Sequence, residues 1–183
     1  DSIIVWAEQD LLMSKKNFED NFKFAKPFIL IQFMLQSTLP IVHKSHEKEL
    51  ENIAENLKLN LNGLETIEEQ LNIFNQIAYP TQIEMLMSQL RDLNQSKSDF
   101  NTMEGIYNTQ NLDSLCAFSE TDIMVLLREE LLVKRNLKWI APMKTLMKNK
   151  SVFFAVGAAH LCGQDGLIEL LTKEGFQIEG VKL

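Results

Sequence analysis

The stretch SVFFAVGAAHLCGQDGLIELLTKEGFQIEGVKL, residues 151–183, constrains the fold more than any other part of the chain. An apolar run ends at Gly157, a histidine follows three residues later, and a Gly-rich turn leads into a short amphipathic helix and an alternating terminal segment. That order predicts a β-loop-α-β unit over residues 151–183. Such units collect chemistry at the carboxyl end of the first strand, where His160 lies. Gly157 is expected to adopt backbone angles that other residues avoid and to let a bound group approach the main chain, a cofactor-binding position. Asp165 is expected to cap the following helix, with Gly175 as its stop.

Upstream, helical periodicity dominates. Pro27 suits the first turn of a helix through Gln36 that ends at Leu39-Pro40, and Ser45 suits the cap of a helix over 46–57. Residues 59–64, LNLNGL, alternate like a short strand. Thr66-x-x-Glu69 then forms a capping box, Tyr79-Pro80 breaks the helix it opens, and Thr81-x-x-Glu84 opens the next. Residues 94–98 read as a polar loop, 99–109 and 112–118 as shorter helices, and Ser119 to about Asn149 as a long helical region kinked before Pro142. The expected fold class is therefore α/β, a small β-sheet with a mainly helical insertion over 66–149, within a single domain portion spanning 1–183.

Composition excludes several functions. With 45% hydrophobic residues among 183, the chain can bury one sizeable core or a core plus a helical appendage. A net charge of −7, from 25 acidic against 18 basic residues, gives no electrostatic case for nucleic acid or anionic membranes. The most apolar run, PFILIQFML, has nine residues, far short of the roughly 20 that span a bilayer. Cys116 and Cys162 make neither a disulfide framework nor a metal knuckle and are expected to be unpaired. The chain begins at Asp1 without a signal-like stretch, so a processed or partial polypeptide is expected.

Three residues stand out as candidates for chemistry. His160 can coordinate a metal or accept a proton near neutral pH, or it can cap a helix or bond a backbone carbonyl. Glu65, where the strand-like segment meets a helix, can accept a proton, bind a cation or hold an arginine, including in a partly buried structural salt bridge. Arg135, in KRNLKWI, can clamp a carboxylate, stack on Trp139 or serve a surface ion pair. His43 and His46 stand i,i+3 among polar neighbours and read as a solvated helix start. No G-x-S-x-G, H-E-x-x-H, C-x-x-C, P-loop or dinucleotide fingerprint is present.

GLETIEEQL at 63–71, LLVKRNLKWI at 131–140 and VFFAVGAAHLCGQDGLIELLTKEGFQIEGV at 152–181 together resemble the central, arginine-asparagine and terminal motifs of TraB/GumN proteins, which include TIKI-type membrane proteases. The resemblance runs from about residue 26 to Leu183. It implies a metal-assisted hydrolase fold related to erythromycin-esterase and haem-binding ChaN-like proteins, with two G-x-x-H motifs. Carried over, the C-terminal G-x-x-H is Gly157 to His160, the glutamate of G-L-E-T is Glu65, and the family's arginine is Arg135. His160, Glu65 and Arg135 are then the implied catalytic residues, and His160 and Glu65 the implied ligands of a divalent metal. The first G-x-x-H has no counterpart here. Residues before Asp1 or a second chain are expected to supply that half, unless the chemistry has been lost. The implied substrate is a peptide or small molecule, the implied location exported or periplasmic, and the alternatives are a ligand-binding module, haem among its ligands, and a non-catalytic interaction protein.

Overall fold

Every regular element of the computed structural model, which describes residues 2–38, 44–91, 93–118 and 127–181, is helical. In chain order these are α1 (Ser2–Asp10), α2 (Lys15–Phe22), α3 (Pro27–Thr38), α4 (His46–Asn56), α5 (Ile67–Gln76), α6 (Tyr79–Arg91), α7 (Leu93–Asn108) and α8 (Leu112–Phe118). A π-helical turn, Glu129–Val133, leads into α9 (Lys134–Met147), and a 3-10 turn, Ala158–Leu161, precedes α10 (Leu167–Lys173). No described helix is long and apolar enough to cross a membrane.

The expected α/β class is thus corrected: among the described residues there is no strand and no sheet. The reason is visible at residues 151–157. Val152, Phe154 and Val156 turn partly inward while Phe153 and Ala155 face out, so the two-residue period survives in an extended backbone. A strand also needs a hydrogen-bonded neighbour, and none of the described segments provides one. Residues 59–62 lie exposed, with Leu59 and Leu61 open to solvent, and residues 176–181 are likewise unladdered.

Local signals fared better where one side chain decides the geometry. Ser45 accepts from the Lys48 backbone N–H at 3.3 Å and starts α4. The Thr66 and Glu69 capping box is reciprocal, with Thr66 N–H donating to Glu69 Oε2 at 2.9 Å and Glu69 N–H to Thr66 Oγ1 at 3.2 Å. α6 begins at Tyr79 rather than Thr81, since Pro80 lacks only an N–H that a helix's first turn leaves unpaired. Residues 94–98 are not a loop but part of α7, where Gln95 Nε2 donates to Asp99 Oδ1 at 2.7 Å one turn on. Pro142 lies inside a continuous α9, so the expected kink gives no break. The Leu39-Pro40 stop, His43 and the Ser119 helix start fall outside the described residues.

The chain groups into two compact units. The first, Asp1–Gly63 with Phe74–Phe100, packs Trp6, Ala7, Phe18, Leu30, Ile31, Met34 and Leu86 into one core. Its buried polar residue, Gln82, donates to the carbonyls of Phe74 (3.1 Å) and Ile77 (2.9 Å) at the end of α5. The amide oxygen accepts from Phe28 N–H at the start of α3, so one side chain satisfies groups at two helix ends.

The second unit, Leu64–Ile73 with Asn101–Leu183, closes around Trp139, Met143 and Leu167, flanked by Leu64, Ile140, Met147, Phe154, Val156 and Leu161. Cys116 on α8 and Cys162 after the 3-10 turn form a disulfide with Cα atoms 5.6 Å apart, which corrects the expectation that both are unpaired. Their separation of 46 residues says nothing about distance once α8 packs on the turn. Gly166 is needed for close approach: a Cβ there would sit 2.4 Å from the Leu161 carbonyl oxygen.

The disulfide closes a long loop, so reducing it, or replacing both cysteines by serine, is expected to cost about 2–4 kcal/mol. Chemical unfolding with and without a dithiol reductant measures this, and an unchanged midpoint would show that the bond does not brace the fold.

Candidate functional site

One helical turn of α9 supplies Arg135, Asn136 and Trp139 to the second unit's interior. Arg135, Asn136 and Trp139 follow directly on the π-helical turn, and Asn136 and Trp139 are almost fully buried. π turns of this kind recur at functional sites. The Arg135 guanidinium carbon stands 4.9 Å from the centre of the Trp139 ring. His160 packs against that ring too, centroid to centroid 4.5 Å, tilted by 40°.

Glu65 enters this cluster because Leu64 joins the core and Thr66 starts α5. Its carboxylate receives Arg135 Nε on both oxygens (3.1 and 3.2 Å) and Nη2 on Oε1 (2.5 Å). Gln70 Nε2 adds a further bond at 2.9 Å, while Arg135 Nη1 donates to the Leu131 carbonyl at 2.9 Å. The Glu65 side chain is 5% exposed, which would raise its pKa, but Arg135 and Gln70 outweigh burial and hold it below the usual carboxylate range. The Trp139 indole N–H lies on the same side and adds to that shift without reaching hydrogen-bond geometry.

His160 is 6% exposed. Its Nδ1 is 2.6 Å from Asn136 Oδ1, and Asn136 Nδ2 donates to the carbonyls of His160 (3.2 Å) and Asp165 (2.7 Å). Burial first, and then the charge of Arg135, push the imidazole pKa from 6.5 down to about 4, with Glu65 opposing. His160 is therefore neutral at pH 7. Its Nε2 makes no hydrogen bond among the described residues.

The structure thus brings Glu65, Arg135 and His160 together around Trp139. It does not place the other candidates as expected. Gly157 has φ −59°, open to any residue, and a Cβ there would meet His160 Cδ2 at an ordinary 3.7 Å. Asp165 does not cap α10, whose cap is Gly166. With its carbonyl held by Asn136, the Asp165 carboxylate reaches Arg128 instead, at 3.3 Å. His46 opens α4 in the first unit.

The sequence reading gave Asn136 little weight and missed the Arg128 pair and the disulfide. Only the adjacency of Asn136 to Arg135 could have flagged the first. An open groove of about 470 Å³ lies beside the disulfide, lined by Leu112, Asp113, Leu161, Ile168 and Glu169 among others, but not by His160, Glu65 or Arg135.

Whether these residues suit a metal is decided by their bonds. The described residues contain no group of three His, Cys, Asp or Glu side chains that could hold one. Glu65 is committed to Arg135 and Gln70, and His160 offers one nitrogen. The described set does not fit a three-ligand centre.

The sequence profile of the TraB/PrgY/gumN family matches residues 6–180, and the chain belongs to that family. Among curated proteins it is similar to Metalloprotease TIKI2 of Danio rerio, 38% identical over 56 residues, which is 29% of this chain and 11% of that protein. Metalloprotease TIKI homolog of Nematostella vectensis is 38% identical over 58 residues, 30% of this chain and 12% of the relative. Metalloprotease TIKI2 of Xenopus tropicalis is 36% identical over 61 residues, 32% and 12% respectively. The matches therefore span about a tenth of the relatives' length. No solved structure matches the chain.

Two outcomes are expected. In an NMR titration His160 should gain its proton near pH 4 rather than 6.5, and because the folded pKa lies below the unfolded one, its contribution to stability is full above pH 6.5 and lost as pH falls toward 4. An apparent pKa near 6.5 would mean the ring is solvated. Gly157→Ala should leave the unfolding free energy within about 0.5 kcal/mol of wild type. Loss of ligand binding or activity in that folded variant would show that the space beside the imidazole is used.

Proposed function

We propose that this chain carries part of the active site of a hydrolase acting on peptide bonds, with His160, Arg135 and Glu65 as its working residues. The observation that carries this reading is the buried, neutral His160, its Nε2 unpaired, beside an arginine that a carboxylate holds rigid. Family membership and the metalloprotease names of the matched relatives support it.

The roles follow from the donors and acceptors. His160 Nε2 accepts a hydrogen bond from a water or a substrate N–H. Arg135 keeps one N–H on each terminal nitrogen beyond those bonded to Glu65 and Leu131, enough to hold a substrate carbonyl as negative charge develops on it. Glu65 positions Arg135 and keeps its charge local. An imidazole with a pKa near 4 is a weak base, so His160 orients the attacking water better than it removes that water's proton unaided. The relatives' names imply a metal, but the described residues do not fit one.

The Cys116–Cys162 bond supports an oxidising compartment and hence an exported protein. The haem-binding alternative requires an apolar pocket facing His160, whereas the groove of about 470 Å³ is lined by other residues.

The test is peptide cleavage by the full-length protein, with divalent cations added and then removed by a chelator. His160→Ala and Arg135→Lys should each lower kcat/KM by about 10²-fold or more. Full activity in folded His160→Ala, or no cleavage by wild type under any cation, would overturn the reading.

A further inference from the structure

Asn136 is the most deeply buried polar residue among the described residues of the second unit, at 1% exposure, and its amide meets three partners whose chemistry fixes its orientation. Two of them, the carbonyl oxygens of His160 (3.2 Å) and Asp165 (2.7 Å), can only accept hydrogen bonds. The amide –NH₂ must therefore face them. Turned over, the side chain would press its own oxygen against two carbonyl oxygens in a dry interior and leave both of those carbonyls without their donor. The amide oxygen is then left for His160 Nδ1, 2.6 Å away. An amide oxygen donates nothing, so Nδ1 must carry the hydrogen.

We infer that Asn136 is a positioning residue that locks His160 in the Nδ1–H tautomer and presents the Nε2 lone pair to whatever the site binds. A neutral imidazole has one N–H, and free histidine in water favours placing it on Nε2; this contact inverts that preference. Nε2 then accepts a hydrogen bond from a water or a substrate N–H, or gives its lone pair to a Lewis acid, and it offers no proton there. The same amide fixes where the ring points, because it holds the carbonyls at His160 and Asp165 on either side of the disulfide-bonded Cys162. Trp139 limits rotation from one ring face. Aspartate cannot substitute, since a carboxylate would face two carbonyl oxygens, and leucine offers Nδ1 no acceptor.

The inference does not depend on the hydrolase reading, because the tautomer is measured without substrate. The experiment is a long-range ¹H–¹⁵N correlation spectrum of the uniformly ¹⁵N-labelled full chain at pH 7. The three histidines are separated by comparison with His160→Gln. Wild type should show His160 with a protonated, pyrrole-type Nδ1 and an unprotonated, pyridine-type Nε2, and Asn136→Ala should move the pattern toward Nε2–H or to a mixture. A wild-type Nε2–H pattern, or an unchanged Nδ1–H pattern in folded Asn136→Ala, overturns it. Should Asn136→Ala not fold, the wild-type spectrum still decides: a slowly exchanging Hδ1 with a cross-peak to the Asn136 amide protons is expected, and its absence counts against the lock. A failed peptidase assay beside an intact Nδ1–H pattern would sink the function proposed above and leave this inference standing.

Discussion

Burial of Trp139 is the constraint on which the second unit depends. An indole removed from water contributes a large apolar area, on the order of a few kcal/mol, and Met143 and Leu167 complete the core it begins. The ring leaves its neighbours little choice. Arg135, one turn earlier on α9, lies over it, and His160 packs against it as well. A cation near an aromatic ring is favourable, yet a guanidinium placed this deep also needs acceptors. Glu65 and the Leu131 carbonyl provide them. The packing of one tryptophan thus gathers a cation, an anion and an imidazole that the sequence sets 70 and 25 positions apart, counting Glu65 to Arg135 and Arg135 to His160.

Magnitudes decide how that cluster behaves electrostatically. Removing one partner of a buried, forked arginine–carboxylate pair costs about 3–5 kcal/mol, because the other charge is left unsatisfied. The intact pair is nearly self-neutralising. His160 therefore experiences burial as its main influence, with Arg135 disfavouring its protonation and Glu65 favouring it. Adding a proton would place a second cation beside the guanidinium. A neutral ring is the state this interior stabilises, which is what an acceptor at Nε2 requires.

Legibility of the chain divided along physical lines. The Ser45 cap and the Thr66 and Glu69 capping box are contacts between residues three apart, so the sequence contains both partners, and both were found. The Glu65–Arg135 pair, the Asn136 bonds and the Cys116–Cys162 bridge join residues 70, 24 to 29 and 46 positions apart. No local period encodes such distances. His160, Glu65 and Arg135 stood out one by one from their local surroundings, and only the family resemblance joined them into one site, because it carries long-range information that spacing does not. For Gly157 the expectation of unusual backbone angles is not met, since its φ of −59° is ordinary: a glycine before a histidine looks like a conformational requirement in sequence whether or not the backbone needs it.

The fold class shows the same limit more sharply. Residues 151–157 have the apolar character and the alternating burial of a strand, and Phe154 and Val156 do reach the core. Side-chain period reports which way each residue faces, and it is satisfied by any extended backbone beside an apolar surface. Sheet formation is a separate event that pairs main-chain groups with a second segment. Here the extended segment turns directly into Ala158–Leu161, where Asn136 and the disulfide take over the ordering that a ladder would supply. The position of His160 is consequently fixed by one amide and one covalent bond from the α8 and α9 side, with the Gly157 carbonyl accepting from its backbone N–H at 2.9 Å, rather than by pairing of residues 151–157 with a second strand.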